Sequence, residues 1–258
     1  MNAMPPEVHV LLHTIRKGLI DMLTDELVGL YVRGSLATGD FDLETSDVDL
    51  FAVVVHPLRP ALFDRLRRWH EDLAHEDIPY VRELEITYVD RENARRFRAG
   101  RRFPTLERGG ALRWTQHGAN WVLERWVVRE HGIPLVGPEP STLIDPITPA
   151  QMRAAVRERM RDWVAWAEEE TDPDWALPLS HKAYVVETMC RALYTTEHGT
   201  WVSKPAAVAW AQSALPEPWR TWVKRSRAWR RQNTPAPELN PVLRQFILWT
   251  AAQVDARP

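Results

Sequence analysis

The sequence predicts an α/β (α+β) domain with a small mixed sheet, followed by an all-α helical bundle domain. Three observations predict it. Helical and strand patterns alternate over the first part of the chain, helical patterns succeed one another from Thr148 onward, and a turn-rich joint marked by prolines separates the two.

In residues 8–23, Val8, Leu11, Leu12, Ile15, Leu19, Met22 and Leu23 recur at helical spacing and define an amphipathic first helix. Residues 29–32 form a short strand that runs into Gly34-Ser35. A second strand over 47–55 opens with alternation and closes in a solid apolar run, as a buried strand does. Residues 58–73 read as a helix. In a third strand over 82–89, Leu84, Ile86 and Tyr88 point one way while Glu83, Glu85 and Thr87 point the other. The joint runs from Gly137-Pro138-Glu139-Pro140 to Pro149 and divides the chain into domains 1–148 and 149–258. Beyond it, helices are expected at about 149–170, 181–198, 204–213, 217–232 and 239–255, with Ser180 and Gly199 as N-cap and C-cap of the second.

Bulk properties narrow the function. Of 258 residues, 45% are hydrophobic and 26% charged, a globular mixture. A formal net charge of −2 leaves no case for a nucleic-acid binder acting through bulk positive charge. One cysteine, Cys190, fits a reducing compartment and reads as a buried helix residue. Without an apolar run approaching ~18 residues or a leader-like N-terminus, the expectation is a cytoplasmic protein with no membrane contact, monomeric. The seven arginines from Arg91 to Arg108 read as a solvated surface, with help toward nucleotide phosphates the lesser alternative.

The stretch 34–50, GSLATGDFDLETSDVDL, carries chemistry. Asp47 and Asp49 lie two apart on a strand, so both carboxylates project from one face, and Glu85 can complete a cluster of three. Like charges so close repel, and a divalent cation relieves them. Mg2+ prefers hard oxygen ligands and sits between carboxylates and substrate phosphates. Gly34 lets the backbone approach a phosphate, and Ser35 adds a hydroxyl and an amide. Lys204 stands at a helix N-terminus, where a cation opposes the helix dipole, so a nearby anion explains it. His181, Tyr184, Thr188, Arg191 and Thr195 share one helix face as a polar stripe.

The pattern Gly-Ser, then Ser-Asp-x-Asp before an apolar strand, resembles the signature of polymerase-β-type nucleotidyltransferases. The chain as a whole resembles one branch, the aminoglycoside (streptomycin/spectinomycin) 3''-adenylyltransferases. The likeness extends through RELEITYVD, REHGIPLVGPEPSTLIDP, DPDWA and CRALYTTEHGTWVSKPAAVAWA. The resemblance implies transfer of AMP from ATP to a hydroxyl of an aminoglycoside, with Mg2+ on Asp47 and Asp49. Glu85 would be the catalytic base, a metal ligand, or both. It implies nucleotide contacts from Gly34, Ser35, Ser46, Arg191 and Lys204, with Trp229 nearest to a family tyrosine. On the acceptor side it implies Trp114, Asp174 and Trp166, the last two lying three residues further apart than in the family. At His181 and Tyr184, also placed on that side, the family carries other side chains. Two other readings stand beside it: the same chemistry on another small molecule or a protein, or a nucleotide-binding regulator without turnover.

Overall fold

The computed structural model describes residues 5–257, which divide into two compact units, the first ending at Pro146 and the second beginning at Ile147. In chain order the first unit contains α1 (Pro6–Leu23), β1 (Leu27–Val32), α2 (Gly34–Thr38), β2 (Val48–Val54), α3 (Pro60–Leu73) and β3 (Leu84–Asp90). It continues through α4 (Arg91–Arg95), β4 (Arg102–Leu106), β5 (Arg113–Gln116), α5 (Asn120–His131), β6 (Ile133–Val136) and α6 (Pro140–Leu143). The strands make one six-stranded mixed sheet ordered β5-β4-β3-β2-β1-β6, in which only the central pair, β2 and β3, is parallel.

Both faces of the centre are covered, which is why β2 reads as an apolar run. Val48, Leu50, Ala52 and Val54, with Leu84, Ile86 and Tyr88, join the apolar stripes of α1 and α3 in one core. On the other face Phe51 meets Trp121 of α5 at 6.5 Å between ring centroids, and the buried Arg125 guanidinium lies 5.9 Å from the Phe51 ring. Arg125 keeps its charge inside by donating to the carbonyls of Asn93 and Trp121. Burial holds its pKa down, to about 10. Asp49 and Glu85 belong to this α5-covered face by strand alternation.

The second unit contains α7 (Pro149–Glu168), α8 (Leu179–His198), α9 (Lys204–Ala214), α10 (Trp219–Ser226) and α11 (Asn240–Asp255). A capping box between Thr148 and Gln151 starts α7. Gly199 ends α8 in the left-handed region at φ 67°. Ser180 is not the N-cap of α8; Pro178 is, and Ser180 donates its backbone N–H to the Gln232 carbonyl instead. The helix expected over 217–232 is shorter, breaking into 3-10 geometry at Arg227–Trp229. Lys182 of α8 is buried and staples the fold, donating to the Trp175 carbonyl at 3.1 Å and to Asn240 Oδ1 at 2.7 Å. None of the helices among the described residues is long and apolar enough to cross a membrane.

Candidate active site

The parallel register of β2 and β3 sets Asp49 directly opposite Glu85. Asp47 lies one residue before β2, on the same side by alternation. Alongside, β1 ends at Val32, and Gly34 opens α2 at φ 64°. Gly34 is required twice over. Its φ disfavours any side chain, and a Cβ there would lie 2.1 Å from Asp49 Oδ2. Ser35 follows in the first turn of α2. The Ser46 hydroxyl accepts from the Asp42 N–H at 2.9 Å, which closes the loop leading into β2.

Two arginines hold the carboxylates. Arg33 Nη2 lies 3.0 Å from Asp49 and 3.8 Å from Glu85, while its Nη1 meets Glu124 of α5 at 2.6 Å. Arg108, on the turn after β4, reaches Asp47 at 2.9 Å. The basic stretch 91–108 is therefore not simply a solvated surface: Arg108 serves the acidic cluster, and Arg95 and Arg96 both pair with Asp145. Burial and the neighbouring Asp49 charge push the Glu85 carboxyl up to about 7. Arg33 opposes that rise, and Asp47 adds to it. A carboxylate with that proton affinity suits a general base near neutrality.

Among the described residues, no group of three or more His, Cys, Asp or Glu side chains is arranged as a metal cage. The donor chemistry nonetheless fits Mg2+. The three groups are carboxylates, two of them raise the pKa of the third, and two guanidinium groups now supply the positive charge.

In the second unit Trp166, His181, Tyr184 and Lys204 gather in one aromatic cluster with Trp175. Trp166 of α7 stacks on Trp175 at 3.9 Å and 11°. His181 lies 6.2 Å from Trp166 and 5.8 Å from Tyr184, and Lys204 Nζ sits 4.4 Å above the Tyr184 ring. Burial pushes the His181 pKa down against the pull of Asp174, an exposed residue beside Trp175. Arg191 sits over the Trp201 ring at 5.5 Å. Trp229 is 8% exposed and packs near Trp222. Thr195, placed on the polar stripe, is buried, so that stripe ends at Arg191. Trp114 lies apart from this cluster in sequence and unit, on β5 in ring contact with Phe63 at 5.5 Å. Arg33, Glu124 and Arg108 were missed as site residues. Only Arg33 carried a local signal, its place just before Gly34-Ser35.

A mixed sheet with paired strand carboxylates, a glycine-opened turn beside them and a helical unit after it defines a nucleotidyltransferase fold. A spectinomycin adenyltransferase from Enterococcus faecialis, solved with ATP and spectinomycin, shares it with a TM-score of 0.74 at 15% identity, over 96% of this chain and 99% of that one. Residues 142–249 match the family model described as aminoglycoside adenylyltransferase, C-terminal domain. Aminoglycoside (3'')(9) adenylyltransferases of Klebsiella pneumoniae and Escherichia coli are each 26% identical over 217 residues, 80% of this chain and 78% of theirs. The chain is thus similar to aminoglycoside adenylyltransferases over most of its length, and its second unit matches their C-terminal domain.

Proposed function

We propose that the protein transfers AMP from ATP to a hydroxyl of an aminoglycoside or aminocyclitol antibiotic, streptomycin, spectinomycin or both, and so confers resistance. The observation that carries this reading is the register pair Asp49–Glu85, with Asp47 and the Gly34 turn beside it, in a chain whose residues 142–249 match the aminoglycoside adenylyltransferase C-terminal domain.

Glu85 takes the proton of the acceptor hydroxyl. The freed oxygen attacks the α-phosphorus of ATP, an acceptor–phosphorus bond forms, and the bond to the β-phosphate oxygen breaks with loss of pyrophosphate. Asp47 and Asp49, joined by Glu85, would hold Mg2+, whose charge offsets that building on the α-phosphate and the departing pyrophosphate. The Gly34 backbone, Ser35 and Ser46 contact phosphate oxygens. In the second unit Arg191 and Lys204 are the cations for the triphosphate, and Trp229 offers the nucleotide only its exposed edge. The place of Lys204 at the start of α9, over the Tyr184 ring, supports its role: a cation there opposes the helix dipole, and a nearby anion explains it. Trp166, Asp174, His181 and Tyr184 are assigned to the acceptor, together with Trp114. Flat rings beside an exposed carboxylate suit a polycationic sugar.

The test is purified protein with ATP, Mg2+ and each drug, read by pyrophosphate release and by a mass gain of one adenylate on the drug. A sensitive bacterium expressing the gene should become resistant to the modified drug. Release with neither drug would overturn the acceptor assignment.

A further inference from the structure

We propose that Arg33 is a positioning residue: anchored from behind by α5, it fixes Asp49 and Glu85 side by side and competes with a divalent cation for them. The inference rests on the reading of those two carboxylates given above, and it adds a residue pair, Arg33 and Glu124, to the machinery.

Arg33 is 8% exposed, yet one guanidinium meets three carboxylates: Asp49 at 3.0 Å, Glu85 at 3.8 Å and Glu124 at 2.6 Å. Its backbone is fixed as well, the N–H donating to the Asp49 carbonyl at 2.9 Å. Its flat face lies 5.6 Å from the Trp121 ring, which stacks on His117 at 3.6 Å and 4°. His117 Nε2 in turn meets the hydroxyls of Thr105 and Thr87, so the backing is packed rather than loose. A buried arginine is retained where its planar fork matches carboxylates that must keep a fixed spacing.

The charges give the proposal a sign. One guanidinium among three carboxylates leaves the group net negative, which favours a second cation, but that cation must share Asp49 and Glu85 with Arg33. Removing the Arg33 charge strengthens cation binding while the two carboxylates lose their spacing. Removing the Glu124 charge leaves Arg33 to Asp49 and Glu85 alone and weakens cation binding. Both changes slow the reaction, but they move the metal affinity in opposite directions.

The experiment titrates Mn2+ into nucleotide-free full-length wild type, Arg33→Gln, Arg33→Lys and Glu124→Gln, read by electron paramagnetic resonance, with kcat and KM for ATP measured alongside. Arg33→Gln should bind Mn2+ about tenfold more tightly while kcat falls about 10–100-fold and KM for ATP stays within about threefold. Arg33→Lys should return Mn2+ affinity toward wild type, and Glu124→Gln should bind Mn2+ more weakly with a lower kcat. Mn2+ affinity that falls together with kcat in Arg33→Gln marks a merely structural role and overturns the proposal, as does affinity unchanged in both variants. If Arg33→Gln does not fold, Glu124→Gln decides alone: weaker Mn2+ binding supports the proposal, and unchanged or tighter binding overturns it. Failure of wild type to adenylylate any aminoglycoside would sink the acceptor reading, yet the Mn2+ pattern would still stand by itself.

Discussion

Gly34→Ala should damage both stability and turnover, and Gly39→Ala supplies its control. Both glycines close the ends of α2 in the left-handed region, at φ 64° and φ 80°. A side chain in that region costs roughly 1–2 kcal/mol. At Gly39 a Cβ meets nothing within 4 Å, so the backbone cost is the whole effect. At Gly34 the new Cβ would stand 2.1 Å from Asp49 Oδ2 and 2.9 Å from its carboxyl carbon, so the carboxylate must swing away. That breaks its ion pair with Arg33, between side chains only 9% and 18% exposed, and leaves charged groups without their partner at a cost of about 1.5–3 kcal/mol. Gly34→Ala should therefore lose about 2.5–5 kcal/mol in all, and exceed Gly39→Ala by about 1.5–3 kcal/mol. The assay is urea unfolding of both variants followed by far-ultraviolet circular dichroism, with kcat/KM measured at low denaturant. Activity should fall at least about 100-fold in Gly34→Ala and within about threefold in Gly39→Ala. Equal stabilities for the two variants, with Gly34→Ala still active, would refute the idea that Asp49 is seated by the absence of a side chain.

Asp47→Asn should cost several powers of ten in turnover, about 1.4 kcal/mol for each, with the folded signal intact; wild-type turnover would refute its role. His70 and His117 are buried neutral, and burial pushes them down to about 3 and about 2, against 6.5 in the unfolded chain. Below pH 6.5 the unfolded state therefore binds protons that the folded state refuses. Stability should fall as pH drops from 6.5 to 4, by about 1.4 kcal/mol per pH unit for each histidine, and His117→Gln should flatten that slope in pH-dependent thermal melts. Lys182→Met leaves the Trp175 carbonyl and Asn240 without their ammonium donor, costing about 1–3 kcal/mol by denaturant unfolding, and should raise the acceptor KM more than the ATP KM. Thr148→Ala removes the capping box of α7 and should cost about 1 kcal/mol by the same measurement, with kinetics unchanged.

Periodicity made much of this fold readable. The stripe of α1 is buried as its spacing required: Val8, Leu11, Leu12, Ile15, Leu19 and Leu23 all lie in the core, and only Met22 is partly exposed. The apolar run of β2 meant a strand covered twice, and Phe51 and Leu50 lie on its two covered faces. What stayed hidden was the stretch from Arg102 to Val136. Its strands have only four or five residues, and β4 carries Pro104 in the run that pairs with β5, so neither alternation nor apolar length marks them. Ser180 is not the N-cap because the helix already begins at Leu179, and the Gln232 carbonyl, far along the chain, takes the first-turn N–H of Ser180 that a capping side chain would otherwise satisfy. Cys190 turned out as read, fully buried, with burial pushing its thiol pKa up.

The acidic half of the site was legible because it is local. Asp47 and Asp49 are neighbours on one strand, Gly34 and Ser35 adjoin in sequence, and a single parallel pairing brings Glu85 across. The basic half was illegible for the opposite reason. Arg33 and Glu124 are separated by 91 positions, and Arg108 sits in a run of arginines in which Arg95 and Arg96 bind Asp145, Arg98 binds Glu92 and Arg102 donates to the Trp114 carbonyl. Charge alone cannot distinguish one arginine of that run from another; only the turn after β4, which carries the Arg108 guanidinium to Asp47, does so. Yet the physics asked for such partners. Three carboxylates gathered beside buried strands cannot stay ionised without positive charge nearby, and the proposed substrate-bound cation would be absent for part of every turnover. Arg33 and Arg108 hold that charge in the interval, and Arg33, unlike Arg108, is locked in place by a helix that contributes no carboxylate to the proposed metal.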